Sequence, residues 1–201
     1  DNPSRIDSLF ITSVRVKCGE HLTVIAAEKG VDDEVHYNTS AVSLLVEELG
    51  IEPGGAEFIE IYNPTSAEVD LANYYLADNS AYHKVTSGPW NPQGTAGTDF
   101  LVRFPSGAKL AAGAVLVVAP ENAAGSASFE ATFGKCPTYT MNKNATPLTC
   151  ASKSVLAMTI PPNGSVGDQA GALLSNEREM VVLFRWDGSA SKVEDVDYVT
   201  W

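Results

Sequence analysis

The stretch Glu57-Phe-Ile-Glu-Ile-Tyr-Asn-Pro-Thr65, followed by Val69-Asp-Leu71 and Tyr74-Tyr-Leu-Ala-Asp78, decides the fold. A short run with apolar residues at alternate positions, a proline-marked turn and a second short apolar run lie in close succession. This is how an antiparallel β-sandwich is written in sequence. Similar signals flank it on both sides. Ser43-Leu-Leu-Val-Glu-Glu-Leu49 precedes it, and Gly54-Gly55 is read as the turn between the two strands. Thr98 to Phe104, Lys109-Leu110 and Ala114 to Ala119 follow as further strands. Val115 to Val118 is apolar at successive positions, so both faces of that strand are expected to be buried.

Toward the C-terminus, Lys153 to Ile160 adds a strand before the turn signal Pro161-Pro-Asn-Gly164. Asn122 to Phe133 is rich in alanine, with Phe129 and Phe133 at helical spacing, which predicts one or two helical turns. Near the N-terminus, Phe10 to Val16 and Leu22 to Ala26 read as a strand pair joined through Cys18-Gly-Glu20. The polar, acidic segment Gly30 to Thr39 is expected to separate that pair from the main domain. The boundary is placed near Ser40, giving an N-terminal extension over 1–40 and a sandwich domain over 41–201.

Several of these blocks resemble the lamin-tail domain family. They are the strand at Ser43–Leu49, the Glu57–Thr65 stretch and its continuation, Phe104-Pro-Ser-Gly-Ala-Lys-Leu-Ala-Ala-Gly-Ala-Val-Leu-Val-Val-Ala119, and Gly171-Ala-Leu-Leu-Ser-Asn-Glu-Arg-Glu-Met-Val-Val-Leu-Phe-Arg-Trp-Asp-Gly188 with the closing strand Val193–Trp201. The resemblance covers about residues 41–201. Two insertions, Ser80 to Gly97 and Gly134 to Gly171, depart from it. It implies an all-β, immunoglobulin-like antiparallel sandwich with inserted loops. It further implies a non-catalytic binding or adaptor module of an exported or cell-envelope bacterial protein, whose partner is a protein or a cell-surface component. Matching glutamates in the family imply that Glu48, Glu57 and Glu60 accept hydrogen bonds near the sheet edge.

Composition agrees with a globular chain. Of 201 residues 44% are hydrophobic, enough for a sizeable core. The longest apolar run, Ala111 to Ala119, is interrupted by Gly113 and falls well short of a membrane-spanning helix. The 25 acidic and 13 basic side chains give a net charge of −12, with the basic groups scattered. Such a surface repels phosphate backbones and anionic lipid, so neither nucleic-acid binding nor membrane insertion is expected. Asp1-Asn-Pro-Ser-Arg5 reads as a solvated leader, and the end at Trp201 as a cut within a longer protein.

The cysteines are Cys18, Cys136 and Cys150. Cys136 and Cys150 bracket a segment rich in Pro, Thr and Asn with no periodic apolar face. A disulfide closing a loop of that size contributes roughly 3 kcal/mol. The pairing is expected, as in oxidising compartments, against two unpaired thiols in a reducing one. It leaves Cys18 over.

Residues with chemical capacity fall into four groups. Glu48, Glu57 and Glu60 lie on neighbouring strands, where paired carboxyls invite both a hydrolase and a calcium reading. No EF-hand pattern accompanies them, in Asp32-Asp33-Glu34 or in Asp78-Asn79-Ser80, so no cofactor is expected beyond calcium as an outside alternative. His21, His36 and His83 with Cys18 lack the spacing of a zinc site, and His83 is expected on a sheet face beside a tyrosine. No Gly-x-Ser-x-Gly elbow or P-loop occurs. Tyr82, Trp90 and Tyr139 lie in polar segments of the insertions, where exposed rings stack on sugars or anchor interfaces. They are the candidate binding residues, the alternative being that each ring folds back over the sandwich. Asn38, Asn144 and Asn163 stand in glycosylation sequons.

Overall fold

The computed structural model describes residues 22–28, 31–37, 44–51, 56–88, 90, 99–120, 129–167, 173–175 and 177–201. The chain divides into two compact units, Asp1–Val42 and Ser43–Trp201. In the first, β1 (Leu22–Glu28) pairs antiparallel with β2 (Val31–Tyr37), from Leu22 opposite Tyr37 to Glu28 opposite Val31. This corrects the expected hairpin. Phe10–Val16 and Cys18 lie outside the described residues, and the acidic segment taken as a separator is itself a strand. Its charges hid the pattern. Val31, Val35 and Tyr37 recur at even spacing, and only Lys29-Gly30 separates it from β1, a two-residue spacing typical of hairpins.

The second unit is a sandwich. One sheet has six strands in the order β11 (Leu148–Cys150), β12 (Lys153–Ala157), β10 (Tyr139–Met141), β9 (Val115–Pro120), β4 (Phe58–Tyr62), β3 (Leu45–Gly50). The other has five, in the order β13 (Ser165–Val166), β7 (Phe100–Arg103), β6 (Tyr74–Ala77), β14 (Met180–Arg185), β15 (Glu194–Thr200). A small ribbon joins β5 (Val69–Asp70) to β8 (Lys109–Leu110). Pairing is antiparallel except at β10, which runs parallel to both β9 and β12. The sequence reading places Tyr139 in an inserted loop, and the structure corrects this: a three-residue strand carries too short a run to show periodicity.

Between the sheets, Ile59, Ile61, Leu116 and Val118 of the first meet Leu76, Phe100, Val102, Val181 and Leu183 of the second in one core. Burying one such side chain stabilises by about 1.5–3 kcal/mol. A second core lies on the outer face of the five-stranded sheet. There Tyr75, Ala77, Leu101, Val182 and Phe184 are covered by Val85 and Trp90 of the first insertion. The strand buried on both faces is therefore β14, whose Val181–Phe184 are at most 1% exposed. It is not β9, where Val115 is 45% exposed. The insertion supplies β14's second cover, whereas the outer side of β9 has none at Val115.

Asn63 fixes the turn in the opening stretch. It is fully buried, its Nδ2 donates to the carbonyls of Ala67, Leu110 and Ala111, and its Oδ1 accepts from the amide and hydroxyl of Thr65. One side chain thus replaces the missing ladder where the chain leaves β4 and ties that turn to the β8 end.

Candidate functional site

The loop aromatics proposed for binding are largely spent on the scaffold. Trp90 is 2% exposed, and its indole N–H donates to Ser165 Oγ at 2.9 Å. It offers no open face to a sugar ring, which corrects the exposed placement that the sugar-binding reading requires. The physical reason is the bare outer face of the five-stranded sheet, whose apolar residues gain more from covering than the ring gains from water. Tyr139 is 8% exposed and meets Phe104 edge to face at 5.6 Å, and burial raises its hydroxyl above the ordinary range. Tyr82 is half-buried, starts a 3₁₀ turn over Tyr82–Thr86 and packs on Phe184. Its hydroxyl donates to Asp195 at 2.6 Å. Burial, then that carboxylate, pushes its pKa up to about 12. His83 lies on the same turn, exposed beside Tyr82, and not on a sheet face.

The carboxylates Glu48, Glu57 and Glu60 do not converge. Glu48 stands directly across from Glu60 in the β3–β4 register. Glu57, three positions from Glu60, falls on the opposite face because strand side chains alternate. It is 3% exposed, and its Oε2 accepts the amides of Leu173 and Leu174 at 2.6 and 3.1 Å. Desolvation raises its pKa against those two donors. Glu60 is raised as well, by partial burial and then by Glu48 and Glu47. The three therefore do not gather into a calcium cage, and Glu57 is not set opposite Glu60 as an acid and base would be. Glu57 holds the Leu173–Leu174 segment to the end of β4.

Cys136 and Cys150 form the expected disulfide, with Cα atoms 5.7 Å apart. Around it a small assembly closes. α1 (Phe129–Phe133) sets Phe129 and Phe133 edge-on to Phe58, and Glu130 accepts the amide of Ala151 at 3.1 Å. Ala151 and Ser152, the two residues between β11 and β12, both have positive φ, 47° and 64°. Two such residues are the geometry of a tight hairpin turn usually given to Asn-Gly. The disulfide at Cys150 and the Glu130 bond to the Ala151 amide both anchor the entry to this turn. Asn163, in one sequon, already donates its side-chain amide to the Val85 carbonyl at 2.9 Å. His21 and Asn38 lie outside the described residues, as does the side chain of His36.

Sequence reading missed a convergence of Asp78, Asp99 and Glu179, in which one oxygen from each lies within 4.8 Å of the others. Each flanks a strand end, but no local spacing links them. A second grouping, Glu130 with Cys136 and Cys150, has both sulfurs committed to the disulfide.

Comparisons place this arrangement. A crystal structure of a DUF4876 family protein from Bacteroides thetaiotaomicron VPI-5482 superposes with a TM-score of 0.50 at 16% identity, over 79% of this chain and 53% of that one. That likeness concerns the fold alone, and this chain spans about half of that protein. No curated protein matches the chain. The family model of the Lamin Tail Domain matches residues 31–201, so the match starts within the β2 hairpin strand and runs through both sheets to the last residue. That match takes in well over half of the sequence, and the chain belongs to the lamin tail domain family.

Proposed function

We propose that this domain is a non-catalytic binding or adaptor module of an exported or cell-envelope bacterial protein, with a protein or cell-surface component as its partner. The observation that carries this reading is how its chemically capable side chains are employed. Glu57 clasps Leu173 and Leu174, Trp90 and Tyr139 are packed inside, and Tyr82 is bonded to Asp195. These groups build a scaffold. The Cys136–Cys150 bond supports an oxidising compartment, where such bonds persist. A net charge of −12 favours a partner with basic groups over nucleic acid or anionic lipid.

The test is to immobilise the purified domain and titrate over it protein and glycan fractions from bacterial envelopes. Saturable binding from the protein fraction, abolished by protease treatment of that fraction, is the expected result. Turnover of glycoside or ester substrates by the purified domain overturns the reading. Saturable binding by glycan alone replaces it with a carbohydrate-binding one.

A further inference from the structure

Three carboxylates far apart in sequence meet at one end of the five-stranded sheet. Asp78 follows β6, Asp99 precedes β7 and Glu179 precedes β14. β6 lies between the other two and runs antiparallel to both, so its last residue and their first residues share an end. Each acid is anchored through one oxygen. Phe100 N–H donates to Asp78 Oδ1 at 2.6 Å, Asn79 Nδ2 to Asp99 Oδ2 at 2.6 Å, and Ser175 N–H to Glu179 Oε2 at 2.7 Å. Each acid keeps a second oxygen outside these three bonds.

For Asp78 that oxygen, Oδ2, is buried and has no hydrogen-bond partner, on a residue only 3% exposed. Buried polar atoms without partners are rare because each carries the full cost of its lost hydration. Among the described residues, ion pairs join Lys109 to Glu68 and Arg185 to Glu194, and none reaches these three acids.

We propose that Asp78, Asp99 and Glu179 hold one hard divalent cation of the calcium class, which pins the ends of β6, β7 and β14 together. A donor set made only of carboxylate oxygens selects hard cations over zinc or copper. Magnesium gives up its water reluctantly and is seldom held by protein carboxylates alone, so a buried site of this kind favours calcium.

The experiment uses the whole chain, stripped with a chelator, and titrates calcium chloride by calorimetry and by melting temperature, with sodium chloride of equal ionic strength as the control. Saturable one-site binding is expected, with a melting temperature that rises with calcium and less with magnesium. Asp99→Asn and Glu179→Gln each weaken calcium by about 10-fold or more. Trp201 exchanges backbone hydrogen bonds with Glu179 at 3.0 and 3.1 Å, so terbium at this site is sensitised by its indole. Trp201→Phe is expected to reduce that emission while calcium affinity persists. Flat calorimetric traces, with melting unchanged beyond the salt control, overturn the proposal, and the wild-type titration decides this even where a variant does not fold. Undiminished calcium affinity in folded Asp99→Asn and Glu179→Gln overturns it equally.

Discussion

Glu57 stands one residue before β4, and its Oε2 takes two amides from a segment more than a hundred positions later in the chain. Truncation leaves both donors buried and unpaired. Glu57→Ala is therefore expected to lose about 2–4 kcal/mol, read from the urea midpoint, whereas Glu57→Gln keeps an acceptor and loses less. A midpoint shift no larger than that of a surface substitution removes the clasp from the account. This residue was half legible. Its position in an alternating strand and the family resemblance implied a structural acceptor, but its partners could not be read, because nothing local marks Leu173 and Leu174 as the donors. Trp90 was the reverse case. Its Pro- and Gly-containing surroundings suggested an exposed ring, and only the assembled sheet reveals the apolar face it covers. Gly50 marks a similar dependence. It pairs with Phe58, whose ring lies where a Cβ on residue 50 would sit, so the aromatic substitutes for the missing side chain.

At the level of strands, β3 and β15 end their respective sheets, and both are irregular. The β3–β4 register shifts between Val46 and Glu48, and the β14–β15 register shifts between Leu183 and Phe184. Asp197 of β15 uses this irregularity to accept the Val46 amide at 2.8 Å, joining the two borders. Bulges and inward charges of this kind keep strand borders from pairing with other chains. Burial raises the Asp197 carboxyl above its ordinary range, opposed by the amides of Val46 and Tyr198. An acid raised in the folded state binds its proton more tightly there than when unfolded, so ionisation opposes folding. The penalty is absent below the ordinary carboxylate range and complete above the raised value. Asp197→Asn retains an acceptor and cannot ionise. The melting-temperature difference between variant and wild type should thus grow in the variant's favour from about pH 4 to about pH 7. A difference independent of pH rules out this assignment. Strands with alternating or unbroken apolar runs, β4, β6, β9 and β14, were readable from the sequence. β2 was not, because charges occupy its intervening positions. β10 was not either, since three residues between polar turns read as loop.

For the molecule as a whole, the sandwich followed from its two end blocks, and the acidic trio did not, because convergence of Asp78, Asp99 and Glu179 is a property of strand order and not of spacing. The Cys136–Cys150 bond acts at this scale, enclosing β10 and nearly all of β11 within a separation of 14 residues. Replacing both cysteines with serine is expected to lower stability by about 3 kcal/mol in chemical denaturation. Intact mass should show two further alkylated sulfurs only after reduction. Equal midpoints for the two proteins deny the bond any share in stability.

β10 is what separates β9 from solvent along that side of the six-stranded sheet. Should β10 to β12 peel away in a reductant, β9 becomes a rim, and the amides and carbonyls of Val115–Pro120 lie open to any extended chain. In a reducing medium such a rim would favour strand addition between molecules whose remaining layers are still folded.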